Sequence, residues 1–160
     1  MTPARFSSAS ASHSTIRRFF AGTARLHNNI PDALLLLAAR VFTAAIFFQS
    51  GRTKMNGVML SENALFLFQE EYRLPWLNPQ TAAYLTAFAE HMFPLMLLLG
   101  FATRLSALSL LIMTLVIQLF VYPDAWPTHG AWATLFLLLI AKGAGDWSVD
   151  FLAAKRWQGK

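Results

Sequence analysis

Residues 79–122 decide the fold, and they read PQTAAYLTAFAEHMFPLMLLLGFATRLSALSLLIMTLVIQLFVY. Two apolar runs, at 79–100 and 103–122, are each long enough to cross a bilayer, which takes roughly 20 helical residues. Asn78 is a suitable N-cap for the first of them, and Pro79 suits the first helical position. Because only a short turn separates the two runs, they predict an antiparallel pair of membrane helices.

Two further apolar runs flank this pair. One covers 30–51, where Pro31 suits a helix start. The other covers 128–140 and is short, with Gly143 and Gly145 behind it. The four runs together predict an all-α fold, an integral membrane four-helix bundle.

The composition supports lipid as the solvent. Hydrophobic residues make up 56% of the chain and charged residues 13%, against about 25% in an average soluble domain. The net charge of +5 comes from basic residues in the tails and not from a basic stripe with interleaved aromatics, so no nucleic-acid partner is predicted. The chain has no cysteine, which excludes disulfides, thiolate metal sites and a thiol relay.

The loop at 52–78 contains a short amphipathic segment. It covers 61–72, with Ser61 as a capping residue and Pro75 as its stop, and it is too short to be a fifth membrane helix. After the fourth run, aromatic residues alternate with basic ones between Trp147 and Trp157. This pattern predicts a short helix at the membrane interface.

Lysines and arginines concentrate at the two ends of the chain. Four arginines and no acidic residue lie in 1–29, and four basic residues follow the last apolar run. The 121–127 loop has none, although the 52–78 loop has three. Since basic flanks stay on the cytoplasmic side, the count predicts that both termini are cytoplasmic.

The chain is accordingly divided into three regions. We predict a disordered basic tail at 1–29, a four-helix membrane domain at 30–153 and a basic tail at 154–160. In a eukaryote the first region would also fit a mitochondrial transit peptide, so that alternative stays open.

Ionisable residues in the apolar runs are the informative exceptions, because an unpaired charge there costs several kcal/mol or more. Arg40 lies near the middle of the first run, and Phe47, Gly51 and Lys54 follow it on one helical stripe. Glu90 lies near the middle of the second run. An Arg40–Glu90 or a Lys54–Glu90 pair is therefore predicted to join the first two helices.

Pro94 lies four residues after Glu90 and displaces the Glu90 carbonyl from its helical hydrogen bond. This predicts a polar pocket for a proton, a water or a ligand headgroup. The alternative is a kinked helix whose ion pair only fixes packing. Arg104, at the start of the third run, can reach the membrane interface without a partner.

His91 and His129 stand on two different runs, but their spacing does not indicate a haem or metal site, and none is predicted. We interpret His129 as an interfacial residue. Gln49 and Gln118 are predicted to form interhelical hydrogen bonds. The chain has no nucleophile–base constellation, Walker loop or dinucleotide motif.

Four segments carry a family resemblance: RVFTAAIFFQSGRTK at 40–54, LFQEEYRLPWL at 67–77, AAYLTAFAEHMFPLMLLLGFATRLSAL at 82–108 and GAGDWSVD at 143–150. In this order and spacing they resemble the DoxX-like four-helix membrane proteins over about residues 34–153. The resemblance implies a small bacterial inner-membrane protein. Arg40, Lys54, Glu90 and Arg104 match the family's charged motif positions.

The named members of the DoxX-like family include the DoxD-type subunit of an archaeal thiosulfate:quinone oxidoreductase and a mycobacterial protein linked to thiol redox homeostasis. The resemblance therefore implies two classes of function. In the first, the chain is the membrane subunit of a quinone-linked redox system. Arg40, Lys54 and Arg104 would contact the quinone as bound substrate, Glu90 would transfer a proton, and a partner redox subunit would supply electrons. In the second, it is a non-enzymatic scaffold or small-molecule carrier whose buried charges fix helix packing. A homo-oligomer is compatible with either, and whether the chain is an enzyme is left open.

Overall fold

The computed structural model describes residues 30–72 and 75–158. The predicted tail at 1–29, the loop residues 73 and 74 and the last two residues lie outside the described part. Two short helices, α2 (Glu62–Glu70) and α6 (Val149–Gln158), lie in the first loop and after the bundle, and a 3-10 turn covers Pro123–Ala125. The bundle itself consists of four helices, α1 (Asp32–Thr53), α3 (Pro79–Leu99), α4 (Thr103–Phe120) and α5 (Trp126–Lys142). The predicted all-α four-helix fold is confirmed.

Three bundle helices, α1, α3 and α4, are long and apolar enough to cross a membrane, with 22, 21 and 18 residues. Helix α5 has 17 residues, which is at the lower end of the range for a membrane helix. Helix α6 continues to Gln158, past the residue at which the predicted membrane domain ends, and that boundary stays a prediction.

The helix ends follow local capping chemistry. The Asn78 side chain accepts the backbone N–H groups of Gln80 and Thr81, with Pro79 in the first helical position. The Ser61 hydroxyl accepts the N–H of Ala64 at the start of α2. Gly100 ends α3 in the left-handed conformation, with φ of 67°. The predicted caps at Asn78 and Ser61 are confirmed.

A β-hairpin that the sequence analysis did not predict follows α1. Strands β1 (Met55–Asn56) and β2 (Met59–Leu60) pair antiparallel, and the loop between them begins at Gly57 with φ of 66°. A positive φ at this position is typical of the tight turns that match strand twist. The sequence signal was Asn56-Gly57, a common hairpin dipeptide, which the apolar pattern of the neighbouring runs obscured.

The burial pattern of the bundle is the reverse of a soluble protein's. Large apolar side chains face outward, and Phe42, Phe88 and Leu119 are 66%, 61% and 68% exposed. The charged Arg40 and Glu90 are instead buried, with 0% and 2% exposed. An apolar exterior around charged interior groups is stable in lipid and not in water, so the surroundings of the helices are a lipid bilayer.

Two helix pairs meet in the core. Helix α1 packs mainly on α3, and α4 packs mainly on α5. Phe47 of α1 joins the pairs, because its ring meets the edges of Trp132 and Phe136 of α5 at centroid distances of 5.4 and 5.5 Å. Leu97 and Leu139 are fully buried in the same cluster.

Helix α1 ends beside the middle of α3, and other elements cover the remaining length. Phe68 of α2 is buried against Ala82 and Ala83 in the first half of α3. The short amphipathic segment predicted in this loop is confirmed as α2. Because α1 stops where α3 is only half covered, Glu90 lies at a junction of α1, α3 and the loop elements.

We expect Phe136→Ala to lower the free energy of unfolding by about 2 kcal/mol or more, because it opens a cavity at the meeting point of the helix pairs. Leu137→Ala is the matched control. Leu137 is 56% exposed to lipid, so its loss should cost less than about 0.5 kcal/mol. Reversible unfolding in mixed detergent micelles measures both values, and equal losses would contradict this account of the core.

Candidate functional site

The centre of the candidate site is an ion pair between the C-terminal end of α1 and the middle of α3. The Lys54 ammonium lies 2.7 Å from Oε2 of Glu90 and donates to Oε1 at 2.9 Å. Ser50 completes the cluster, because its hydroxyl donates to Glu90 Oε1 at 3.0 Å and accepts from Lys54 at 2.9 Å. Both charged side chains are buried. Of the two predicted pairings, the structure forms Lys54–Glu90.

Gly51 permits this pairing by letting α1 approach α3 closely. A Cβ atom at residue 51 would lie 2.9 Å from the His91 ring and 3.0 Å from Cβ of Glu90. Any side chain there would push the helices apart and lengthen the Lys54–Glu90 contact. The stripe that contains Arg40, Phe47, Gly51 and Lys54 is buried along its length, as the spacing predicted.

Arg40 lies at the other end of the bundle and does not pair with Glu90. Its Nη2 donates to the Trp147 carbonyl at 2.5 Å, in the segment between α5 and α6. Asp150 is the acidic residue whose charge acts on Arg40. Gly100 makes room for the guanidinium, because a Cβ atom there would lie 2.0 Å from Nη1. Nε and Nη1 have no hydrogen-bond acceptor among the described residues.

Asp150 ties the start of α6 to the turn between α3 and α4. Its carboxylate accepts the N–H groups of Ala102 at 2.8 Å and Thr103 at 2.9 Å, and its own N–H donates to the Gly100 carbonyl at 2.9 Å. The N-cap residue of α4 is Ala102, whose methyl side chain cannot accept a hydrogen bond. Asp150 therefore caps α4 from another helix and places a negative charge at the positive end of its dipole.

The Ser148-x-Asp150 motif has a structural role at the start of α6. The Ser148 hydroxyl donates to the Gly145 carbonyl at 2.6 Å and accepts the Phe151 N–H at 3.1 Å. These contacts shape the turn that leads into α6. The sequence predicts no contact for Asp150, because an N-cap supplied by a distant residue leaves no local pattern.

Arg104 is exposed at this same end of the bundle. Its guanidinium donates weakly to the Ala141 carbonyl at 3.5 Å, and it lines an open cavity of about 570 Å³ together with Lys142 and Asp146. The four predicted site residues therefore fall into two groups. Lys54 and Glu90 lie together, whereas Arg40 and Arg104 lie toward α6.

Pro94 is buried within a continuous α3, and the cavity beside it is apolar. Its volume is about 200 Å³, and its lining residues carry no polar side chain. Glu90 is not among them. The predicted polar pocket at this proline is therefore replaced by an apolar one, since the Glu90 carboxylate turns to Lys54 and Ser50 instead.

The two histidines have separate surroundings. His91 Nδ1 lies 2.7 Å from the Ala87 carbonyl, and its ring meets Phe48 edge-on. His129 Nδ1 lies 2.7 Å from Gln118 Oε1, which joins α5 to α4 as predicted for Gln118. Within 30–72 and 75–158, no group of three or more His, Cys, Asp or Glu residues is arranged to hold a metal ion.

Two tyrosines extend from the Glu90 region toward the end of the bundle that carries the hairpin. The Tyr122 hydroxyl donates to the Glu71 carboxylate, and this hydrogen bond raises the pKa of Tyr122. Burial raises the pKa of Tyr72, with smaller contributions from Tyr122 and Glu90. The two rings meet edge-on at 6.1 Å. Both phenols are therefore neutral at physiological pH.

Comparison with known proteins assigns the chain to a family. The family model described as DoxX matches residues 35–123, which contain Arg40, Lys54, Glu90 and Arg104. The chain belongs to the DoxX family. An uncharacterised protein of Haemophilus influenzae is 32% identical to it over 141 residues, which cover 82% of this chain and 91% of the relative. No solved structure matches the chain.

The match to the DoxX model begins within α1, ends at Pro123 before α5 and does not include α6. The Lys54–Glu90 pair lies inside the matched region, whereas Trp147 and Asp150 lie beyond it. The contacts of Arg40 and of the α3–α4 turn with the C-terminal segment therefore involve residues outside the matched region.

We expect Asp150→Ala to lower the free energy of unfolding of this DoxX protein by about 1–2 kcal/mol, because α4 loses its N-terminal acceptor. Asp146→Ala is the control, since Asp146 is an exposed carboxylate in the same segment. Thermal unfolding in detergent compares the two variants. An equal effect of both would contradict the capping role.

Lys54→Met should be more damaging than a double replacement of the pair. The single variant leaves Glu90 charged and buried without its cation, at a cost of about 3–5 kcal/mol. Lys54→Met/Glu90→Leu removes both charges and should recover most of this loss. Unfolding free energies of the two variants test the pairing, and a double variant no more stable than the single one would refute it.

Proposed function

We propose that this DoxX protein is the membrane subunit of a quinone-linked redox system in a bacterial inner membrane, with Glu90 as its proton-transfer group. The observation that carries the proposal is the placement of Glu90. A carboxylate held near the middle of a membrane helix is costly, and such groups commonly serve proton transfer or ligand binding. Its partners Lys54 and Ser50 hold it in one orientation.

The chemistry requires a second protein. Reduction of one quinone to the hydroquinone takes up two electrons and two protons. A redox group of a partner subunit would supply the electrons, because this chain has no cysteine for a thiol relay. Glu90 would pass the protons one at a time to the quinone oxygens and be reprotonated from the aqueous side. Lys54 would balance the carboxylate charge between transfers.

The positions of the other predicted site residues fit a supporting role. Arg40 and Arg104 lie toward α6, away from the Lys54–Glu90 pair. In this proposal Lys54 stays paired with Glu90, Arg40 holds the segment before α6, and Arg104 lies at the membrane interface. The basic flanks support an orientation with both termini and α6 in the cytoplasm. The hairpin and α2 would then lie on the periplasmic side.

The alternative is a non-enzymatic scaffold or small-molecule carrier, and one observation favours it. Among the residues that the structure describes, the ammonium of Lys54 donates its hydrogen bonds to Ser50 and Glu90. A pair that is satisfied within the chain can fix the register of α1 on α3 without a ligand. Under this alternative, the DoxX bundle would be needed for assembly of a partner and not for turnover.

Glu90→Gln decides between the two. Native mass spectrometry of the protein, gently extracted from its own membranes, should detect bound quinone or a redox partner on the wild type. The quinone reductase rate of those membranes should fall by about 10²-fold or more in the variant, which has lost its proton donor. Glu62→Gln, an exposed carboxylate on α2, is the control and should leave the rate unchanged.

This result is informative only if Glu90→Gln remains folded and assembled with its partner. The same mass spectra test that condition. A folded Glu90→Gln protein that keeps its partner and full reductase rate would refute proton transfer at Glu90. Loss of the partner with no bound quinone in either protein would support the scaffold.

A further inference from the structure

Two cavities follow one another along the outer surface of α3, the first where α1 packs on it and the second where the β-hairpin does. One has a volume of about 200 Å³, and the other, between the β-hairpin and α3, has a volume of about 450 Å³. The first is lined from both helices by Val41, Ala45, Phe48, Pro94, Leu95 and Leu98. The second is lined from the hairpin and α3 by residues that include Met55, Val58, Tyr84, Phe88 and His91.

The cavities lie on one face of α3. Residues 84, 88, 91, 95 and 98 are spaced alternately by four and three, which places them on a single helical stripe. Phe48 and His91 meet edge-on at 5.2 Å where the cavities adjoin. We call the whole feature the α1–α3 groove. Since the apolar side chains along it are exposed, the groove opens to the lipid.

His91 gives the groove a polar group at the point where its two cavities adjoin. Its Nδ1 lies 2.7 Å from the Ala87 carbonyl, and a carbonyl oxygen only accepts, so Nδ1 carries the hydrogen. In the neutral ring, Nε2 is then an acceptor. The ring's Nδ1 and Cε1 atoms face Gly51. A ligand in the groove that approaches Nε2 must therefore donate a hydrogen bond to it.

The groove also reaches the level of the ion pair. A Cβ atom at Gly51 would touch both His91 and Glu90, so the two side chains lie on either side of the same contact between α1 and α3. A headgroup beside His91 is thus close to Glu90, while a tail can extend along α3 past Pro94 among apolar side chains only.

We infer that the α1–α3 groove binds a lipid-soluble hydroquinone, with a ring hydroxyl donating to Nε2 of His91 and the isoprenoid tail lying beside Pro94. This inference rests on the proposed function and adds the location of its product. The reduced form is favoured over the quinone, because the carbonyls of a quinone offer the neutral imidazole no hydrogen to accept. A lipid acyl chain could also occupy the apolar part of the groove, but its binding would be the same in wild type and in His91→Phe.

The test uses ubiquinol-2 and ubiquinone-2, titrated separately into the purified full-length protein in nanodiscs. Wild type should bind ubiquinol-2 about threefold to tenfold more tightly than ubiquinone-2, the effect of one hydrogen bond. His91→Phe keeps the ring and its contact with Phe48 and should abolish this preference. Ala45→Trp fills the tail region and should weaken both ligands by about tenfold or more. Ala131→Trp, at an exposed position of α5, is the control and should change neither.

The outcomes separate this inference from the proposed function. If both ligands bind His91→Phe and Ala45→Trp as tightly as wild type, the groove is not the binding site, and the proposed function still stands. Weaker binding in Ala45→Trp with no change in His91→Phe would reduce the groove to a lipid-chain site and overturn the role of His91. No binding of either ligand to wild type would overturn both proposals.

Discussion

A carboxylate buried in a lipid-embedded helix has no water to solvate it, and most of this bundle can be understood from how Glu90 is neutralised. Its cation, Lys54, stands at the end of α1, so the end of α1 must lie beside the middle of α3. Gly51 brings the two backbones close enough for the contact. The same stagger leaves the first half of α3 without a partner from α1, and the β-hairpin and α2 cover it. One ion pair thus fixes the relative position of α1 and α3. It also leaves the first half of α3 to be covered by the β-hairpin and α2.

At the end of the bundle near α6, a buried charge is again stabilised by contacts within the protein. Arg40 is fully buried, and the carbonyl of Trp147 and the charge of Asp150 stabilise it there. Asp150 also supplies the N-terminal acceptor that α4 lacks. Because both contacts come from the segment after α5, this segment holds α1, α3 and α4 together at one end. The Lys54–Glu90 pair holds α1 and α3 together farther along the bundle.

These contacts bear on how a DoxX protein of this kind could act. Lys54 and Glu90, the two charged motif residues at the candidate site, neutralise each other within the chain, which is what a stable small bundle needs in lipid. A ligand would therefore meet the protein at its lipid-facing surface rather than inside it. The α1–α3 groove is such a surface, with aromatic rings, one imidazole and Glu90 behind the helix contact. A membrane-dissolved substrate could enter it without disturbing the buried pairs.

The sequence by itself determined the fold class, the four apolar helices, the cap of α3 at Asn78, and the short helix in the first loop with its cap at Ser61. Hydropathy and capping are local, so neighbouring residues suffice to predict them. It also named Glu90 as the residue that needs a cation, but Arg40 and Lys54 share one helical stripe and either could have supplied it. Only the tertiary structure shows that Lys54 pairs with Glu90 and that Arg40 donates to the Trp147 carbonyl. It also shows that Asp150 caps α4 and that His91 lies on the same face of α3 as the apolar cavity at Pro94. Each of these depends on the stagger and close approach of helices far apart in the chain, and no local pattern encodes that distance.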